Sequence, residues 1–310
     1  MPRNFLKYPV EIVEDVFGES KVLAKTLGEA DVLIVADMNV VQRMPGLGVK
    51  IGKYASENGI SLAGPPVVMG GGEKIKLGDF RPMRSVLDAA IAAGLGPDDR
   101  ILAIGGGTVI DVAGYAAAQV RGGVGVVRLP TTPAAMLGTA FADVAALDAP
   151  DEKDAFVLPC EPKAVIIDTS FAGTVLDGVW NGGMAEAVRL GVAKDGALLK
   201  TIASLVDRFA ARDGAALREL VEATLATRRK KGSTDLGLAV AASLEPKSAW
   251  KLPHGYAVAI GILADISAAI KAGDPREDDL ALCRDILDRC GALDGLRHSR
   301  HILPPELADF

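Results

Sequence analysis

The sequence predicts an α/β half built on a parallel sheet over residues 1–174, followed by an all-helical half over residues 175–310. Three observations carry this. Short apolar runs alternate with helically spaced apolar residues through the first half, as in parallel sheets covered by helices. The run Ile101-Leu-Ala-Ile104 ends in Gly105-Gly106-Gly107 and opens straight into a helix. Beyond about residue 175 the strand-like runs stop, and nearly every segment repeats its apolar residues with helical spacing.

In chain order, Pro9 to Val13 and Val32 to Val35 read as strands, the second closed by Asp37-Met38-Asn39. Pro66 to Met69 is a third, followed by Gly70-Gly-Gly-Glu73-Lys-Ile-Lys76. From Asp79 to Ala93 the residues Met83, Val86, Leu87, Ala90 and Ile91 keep helical spacing, and Gly94 ends the helix. Strand, glycine turn and helix follow over 101–120, then strands from Val124 to Leu129 and from Lys163 to Asp168. Between Lys163 and Asp168 the last is continuously apolar, as expected of a strand covered on both faces. Helical periodicity then occupies 197–211, 214–231, 257–271 and 277–290, which places the domain boundary near 170–178.

With 310 residues, 49% of them hydrophobic, the chain can bury a large core. A net charge of −6 and a pI near 5.2 argue against a nucleic-acid partner. The three cysteines, Cys160, Cys283 and Cys290, form no CxxC pair and read as reduced thiols of a cytoplasmic protein. No signal-peptide pattern is visible at the start. The longest apolar run, Ala257 to Ile270, contains Asp265 and is too short to span a membrane.

The glycine turn carries the chemistry. A helix that starts there points unpaired N–H groups and its positive dipole end at the turn, a geometry suited to a pyrophosphate. A plain strand-to-helix turn fits the glycines equally well; Asp111 and Leu129-Pro-Thr131-Thr132 favour a nucleotide. Asp37, just after a strand, is placed to accept from a ribose, although acids are also common turn residues.

Gly72-Glu73-Lys-Ile-Lys76, Gly105-Gly-Gly107 with Asp111, Arg121-Gly122, Leu129-Pro-Thr-Thr132, Pro162 to Asp168, Gly183-Met-Ala-Glu186 and His254-Gly255 occur in one order over nearly the whole chain. Together they resemble the dehydroquinate synthase family, the sugar-phosphate cyclases. The Gly-Thr-Val-Ile-Asp turn at 107–111 is also similar to that of the related iron-dependent alcohol and polyol dehydrogenases. The resemblance implies an N-terminal NAD-binding domain, a helical C-terminal domain and a site in the cleft between them. NAD is recycled there while a sugar phosphate loses phosphate and closes into a carbocycle. On the cofactor side it implies roles for Asp37, Asn39, Glu73, Lys76, Gly106, Gly107, Asp111, Thr131, Thr132, Lys153 and Thr174. It implies a small-molecule substrate such as a phosphorylated sugar or polyol, and a homodimer in which Arg121 reaches the partner's substrate phosphate.

The catalytic side departs from that pattern. The family holds a divalent metal, usually zinc, on one carboxylate and two histidines. Glu186 and His254 occupy two of these places, but the third, sixteen residues before His254, is Leu238, and Ala242 replaces a further histidine. Gly138 stands in place of an aspartate, Val144 of a lysine, Asp154 of an asparagine and Arg189 of a lysine. Lys230 or Lys231 is the candidate for another family lysine, and Asp235 for a substitute metal ligand. Read without the resemblance, Glu186 complements the dipole of a helix start and His254 caps a helix. The expectation is an incomplete metal site beside a retained cofactor site. Three activities stay open: a cyclase-type enzyme with altered substrate or chemistry and no ordinary dehydroquinate synthase activity, a catalytically inactive relative, and an NAD-dependent alcohol or polyol dehydrogenase. The catalytic candidates are Glu186, His254, Arg121, Arg189 and Lys231.

Overall fold

The structure is a computed structural model that describes residues 6–77, 80–228 and 235–294. The chain folds into two compact units, Tyr8–Pro150 with Asp154–Val175, and Leu176–Phe310 with Asp151–Lys153 and Met1–Lys7.

The first unit contains β1 (Val10–Val13), α1 (Val22–Leu27), β2 (Asp31–Asp37), α2 (Met38–Arg43), α3 (Leu47–Glu57), β3 (Ser61–Leu62), β4 (Val67–Met69), α4 (Arg81–Ala92), β5 (Arg100–Gly105), α5 (Gly107–Gln119), β6 (Gly125–Pro130), α6 (Pro133–Leu137), β7 (Val144–Ala149), β8 (Glu152–Pro159) and β9 (Ala164–Asp168). Seven strands form one parallel sheet in the order β1-β9-β6-β5-β2-β3, with β4 also on β2. Every residue of β6 and β9 is buried; their runs are apolar except for Arg128 in β6 and the closing Asp168 of β9. The strand order reverses between β2 and β5. In parallel sheets such a reversal opens a crevice at the carboxyl ends, here the ends at Asp37 and Gly105.

Two features of this unit are not among the elements expected above. Helix α2 is short and buries only Val40, whereas α3, which starts after Gly46 adopts φ +86°, buries Leu47, Ile51, Tyr54 and Ala55 along one face. Strands β7 and β8 pair with each other off the main sheet, and β8 has little buried surface to pattern its sequence. The chain on either side of this pair is tied down by Arg128 of β6, 1% exposed, which donates to the carbonyls of Ala140 (3.0 Å), Ala142 (2.5 Å) and Cys160 (2.7 Å). A cation placed in the core is tolerated because it satisfies three carbonyls that would otherwise lack donors.

The second unit holds α7 (Asp177–Lys194), α8 (Gly196–Ala210), α9 (Gly214–Arg228), α10 (Leu238–Lys247), α11 (His254–Lys271) and α12 (Glu277–Arg289). Trp180 and Phe209 anchor its core, ring centroids 5.1 Å apart, and the indole N–H donates to the Phe209 carbonyl at 2.7 Å. Two glycine pairs set the helix crossings. A Cβ on Gly255 would lie 2.2 Å from the Gly182 carbonyl oxygen, so α11 can approach α7 this closely only with glycine at 255, and a Cβ on Gly182 would sit a tight 3.1 Å from Gly255 Cα. A Cβ on Gly261 would fall 2.1 Å from the Gly237 carbonyl oxygen, which docks the start of α10 on α11 in the same way. Gly182 is one turn before Glu186 and Gly255 adjoins His254, so the first crossing brings those side chains together. Among the described residues no helix is long and apolar enough to cross a membrane.

Candidate functional site

In the α/β unit, the sequence-predicted cofactor residues fall into separate groups. Asp37, the last residue of β2, caps α2 and accepts from the Asn39 backbone N–H (2.8 Å) and side-chain amide (2.9 Å). A Cβ on Gly71 would meet the Asp37 carboxylate at 2.6 Å, so glycine at 71 is what leaves that carboxylate room.

The central group is the β5–α5 turn. Gly106 is the N-cap of α5, and no side chain caps the helix. A Cβ on Gly106 would lie 2.9 Å from the Thr132 methyl, and one on Gly107 would lie 3.0 Å from that of Thr139. Thr131 N donates to the Gly105 carbonyl at 3.0 Å. The Thr131 hydroxyl is fully buried and has no hydrogen-bond partner among the described residues. A bare helix N-terminus beside an unused buried hydroxyl is an arrangement that fits the phosphates of a dinucleotide.

The third group surrounds Lys76, 3% exposed. Its ammonium lies 2.9 Å from Asp111, 3.1 Å from Asp154 and 3.6 Å from Asp148. Burial by itself would lower the lysine pKa, but Asp111, Asp154, Glu73 and Asp148 together raise it well above the ordinary value. Lys76 is therefore a fixed cation that ties α5 and the β7–β8 pair to the 3-10 turn Glu73–Lys76. Thr174 donates to the Phe171 carbonyl at 2.7 Å. Arg121 is exposed in the α5–β6 turn in a left-handed conformation, φ +39°, followed by Gly122 and Gly123 at +83° and +104°.

In the helical unit, five charged side chains form one chain of contacts. Arg189 Nη2 donates to Glu186 Oε2 at 2.5 Å. Glu186 Oε1 lies 3.7 Å from His254 Nε2, and His254 Nδ1 meets Glu245 Oε1 at 2.8 Å. The second Glu245 oxygen lies 3.0 Å from Lys153 Nζ, which also sits 5.7 Å above the Trp250 ring. Glu245 is 0% exposed, Glu186 2% and Arg189 6%. Burial would raise the Glu186 carboxyl, yet Arg189 and His254 hold it well below the usual carboxylate range. Burial would lower the His254 pKa, but Glu245 and Glu186 push it up to about 10. The sequence of charges is thus +, −, +, −, +, each buried group paired with its opposite.

This geometry corrects several expectations. Glu186 is deep inside α7, more than two turns from Asp177, so it does not complement a helix-start dipole. His254 makes no side-chain cap to α11; its ring serves Glu245. Lys153 takes part in the helical unit's charge chain through Glu245. Asp235 is exposed, its carbonyl accepting from Leu238 N. Lys230 and Lys231 lie outside the described residues. Glu245 belongs to none of the sequence motifs, although one acid within the apolar stretch Leu238-Ala-Val-Ala-Ala-Ser-Leu-Glu245, nine residues before His254, is a readable signal.

The residues at the family's metal position do not fit a metal. Among the described residues no group of three His, Cys, Asp or Glu side chains converges on one point. Leu238 offers no donor atom, a guanidinium occupies one oxygen of Glu186, and Glu245 engages one nitrogen of His254. Two ligands already bonded elsewhere do not make the three-ligand site that catalytic zinc needs.

The family models for the 3-dehydroquinate synthase N-terminal and C-terminal domains match residues 66–180 and 183–296. The 3-dehydroquinate synthase of Shewanella halifaxensis is 25% identical over 290 residues, 89% of this chain and 78% of that protein. That of Methylococcus capsulatus is 27% identical over 297 residues, 91% of this chain and 79% of that one. Among solved structures, the 2-epi-5-epi-valiolone synthase of Streptomyces hygroscopicus, with NAD+ and Zn2+ bound, aligns with a TM-score of 0.79 at 23% identity, covering 97% of this chain and 86% of its own. A 2-deoxy-scyllo-inosose synthase complexed with carbaglucose-6-phosphate, NAD+ and Co2+ aligns at 0.71 and 18% identity, covering 94% and 82%. The parallel sheet with its helical partner unit is the fold these proteins share. With both halves matched by the family's own models, this chain belongs to the 3-dehydroquinate synthase family.

Proposed function

We propose that this chain is an NAD-binding enzyme of the sugar-phosphate-cyclase type that acts on an altered substrate and does not carry out the ordinary dehydroquinate synthase reaction. The observation that carries the reading is an asymmetry. The β5–α5 turn keeps its glycines, bare helix N-terminus and unused Thr131 hydroxyl, while Leu238, Val144, Gly138 and Ala242 replace polar family residues.

In this reading the N–H groups at Gly106 and Gly107 hold the pyrophosphate, and Thr131 and Thr132 flank it. Asp37 and Asn39 hold the adenosine ribose, with Gly71 leaving space for the acid. Bound NAD supplies a hydride acceptor that can return the hydride within one turnover. Glu73, Lys76 and Asp111 support the turn from behind through the Lys76 ion pairs. Arg121 is assigned to a substrate phosphate in a homodimer, and Arg189 and His254 to the polar wall of the substrate site. The substrate class is a phosphorylated sugar or polyol, the class bound by the inosose synthase relative. One observation favours a second reading, a catalytically silent NAD-binding relative: the side chains of Glu186 and His254 are already bonded to other residues of the chain.

Titration calorimetry of the full chain with NAD and NADH tests the cofactor half, and absence of binding for both forms at millimolar concentration refutes it. Phosphate release without net NADH from a phosphorylated polyol identifies the cyclase. Stoichiometric NADH points to a dehydrogenase, and neither product to the silent relative. Turnover of the ordinary dehydroquinate precursor at the rate of intact family members refutes the proposal of an altered substrate.

A further inference from the structure

We infer that the Arg189 guanidinium takes the place of the divalent cation at this position, so that Glu186 is a salt-bridge carboxylate, His254 a bridge between two glutamates, and the site excludes metal. The inference rests on the family assignment and not on the choice of substrate.

Three observations converge. First, the carboxylate that would face a metal already accepts a charge-assisted bond from Arg189 at 2.5 Å, between partners one helical turn apart on α7. A buried carboxylate needs a positive partner, and a guanidinium three residues along the same helix supplies it without a ligand from elsewhere. Second, the imidazole is held in place by Glu245, which is itself neutralised by Lys153. A carboxylate behind a histidine also occurs in metal sites, where it orients the ring. Here, however, the other ring nitrogen faces Glu186, a carboxylate already joined to Arg189. Third, Leu238 puts a branched hydrocarbon where the family pattern has an imidazole. A cation entering this site would have to displace a guanidinium from a 2%-exposed carboxylate, and it would find no third ligand among the described residues.

The test uses Co2+ alone as the probe, added to the full-length protein after chelation, with visible absorption and equilibrium dialysis as readouts. Wild type is expected to bind no stoichiometric Co2+ at this site, and metal analysis of the untreated protein is expected to find no bound zinc. Leu238→His, which restores the imidazole but keeps Arg189, is expected to stay metal-free. Leu238→His combined with Arg189→Gln frees Glu186 and is expected to bind one equivalent with the absorption of a low-coordinate Co2+ centre. Stoichiometric metal in wild type overturns the inference. So does equal Co2+ binding by Leu238→His with and without Arg189, or a folded double variant that gains none. NAD titration of the same samples reports separately on the cofactor reading.

Discussion

Glu245 is the member of the charge chain whose removal has the most direct consequence. Glu245→Gln keeps the volume and removes one charge from a side chain that is 0% exposed. In the native protein its two oxygens serve His254 at 2.8 Å and Lys153 at 3.0 Å, so the substitution leaves two cations without their shared counter-ion. Breaking a buried ion pair from one side costs about 3–5 kcal/mol. The glutamine carbonyl recovers one neutral hydrogen bond, worth about 1 kcal/mol. The expected net loss is therefore about 2–4 kcal/mol. Both tryptophans of the chain, Trp180 and Trp250, lie in the helical unit, so urea unfolding followed by indole fluorescence reports on it directly.

The pH dependence gives a second readout. Glu245 leads the contacts that lift the His254 pKa from 6.5 to about 10 against the pull of burial. Because the folded value is the higher one, the stabilisation is fully present below about pH 6.5 and is lost as pH rises through about 10. Wild type and variant should thus differ most in mild acid, and their stabilities should approach each other at alkaline pH. A variant within about 0.5 kcal/mol of wild type at pH 6, or a gap that ignores pH, would refute the assignment of Glu245 as the charge partner.

Further outcomes follow from the same structure. Gly255→Ala puts a methyl group 2.2 Å from a backbone carbonyl of α7; overpacking of this kind costs about 1–3 kcal/mol or more, and a thermal melt should show a marked fall in Tm. Arg128→Met leaves the carbonyls of Ala140, Ala142 and Cys160 without their donor, at about 1–3 kcal/mol for each that water cannot reach, and circular dichroism melts should show a large loss of stability. All three cysteines are buried, and burial raises the thiol pKa of Cys160, Cys283 and Cys290, the last two to about 12. Native protein at neutral pH should therefore react with a disulfide reagent only at the rate of unfolding, and rapid labelling of any of the three would contradict the structure.

What the sequence determined by itself is the set of elements with strong local signals. The buried strands β5, β6 and β9 are legible because strands covered on both faces are predominantly apolar, Arg128 being the exception inside β6, and α8 and α12 because a half-buried helix repeats every turn. The glycine turn at 105–107 and the loss of the imidazole at Leu238 are also visible in one dimension, since each is a matter of residue type at a fixed spacing. Helix α2 and strand β8 are not, because short or exposed elements bury too little surface to pattern their residues. Only the tertiary structure decided what the retained residues do. Arg189 reads from sequence as a substituted lysine and Lys153 as a cofactor contact, and Glu245 passes unremarked, until the Gly182–Gly255 contact lets α7 and α11 approach closely enough to bring Glu186 and His254 together. The partner of a buried charge is whatever opposite charge folding delivers to it, and that depends on helix crossings set by residues far apart in the chain.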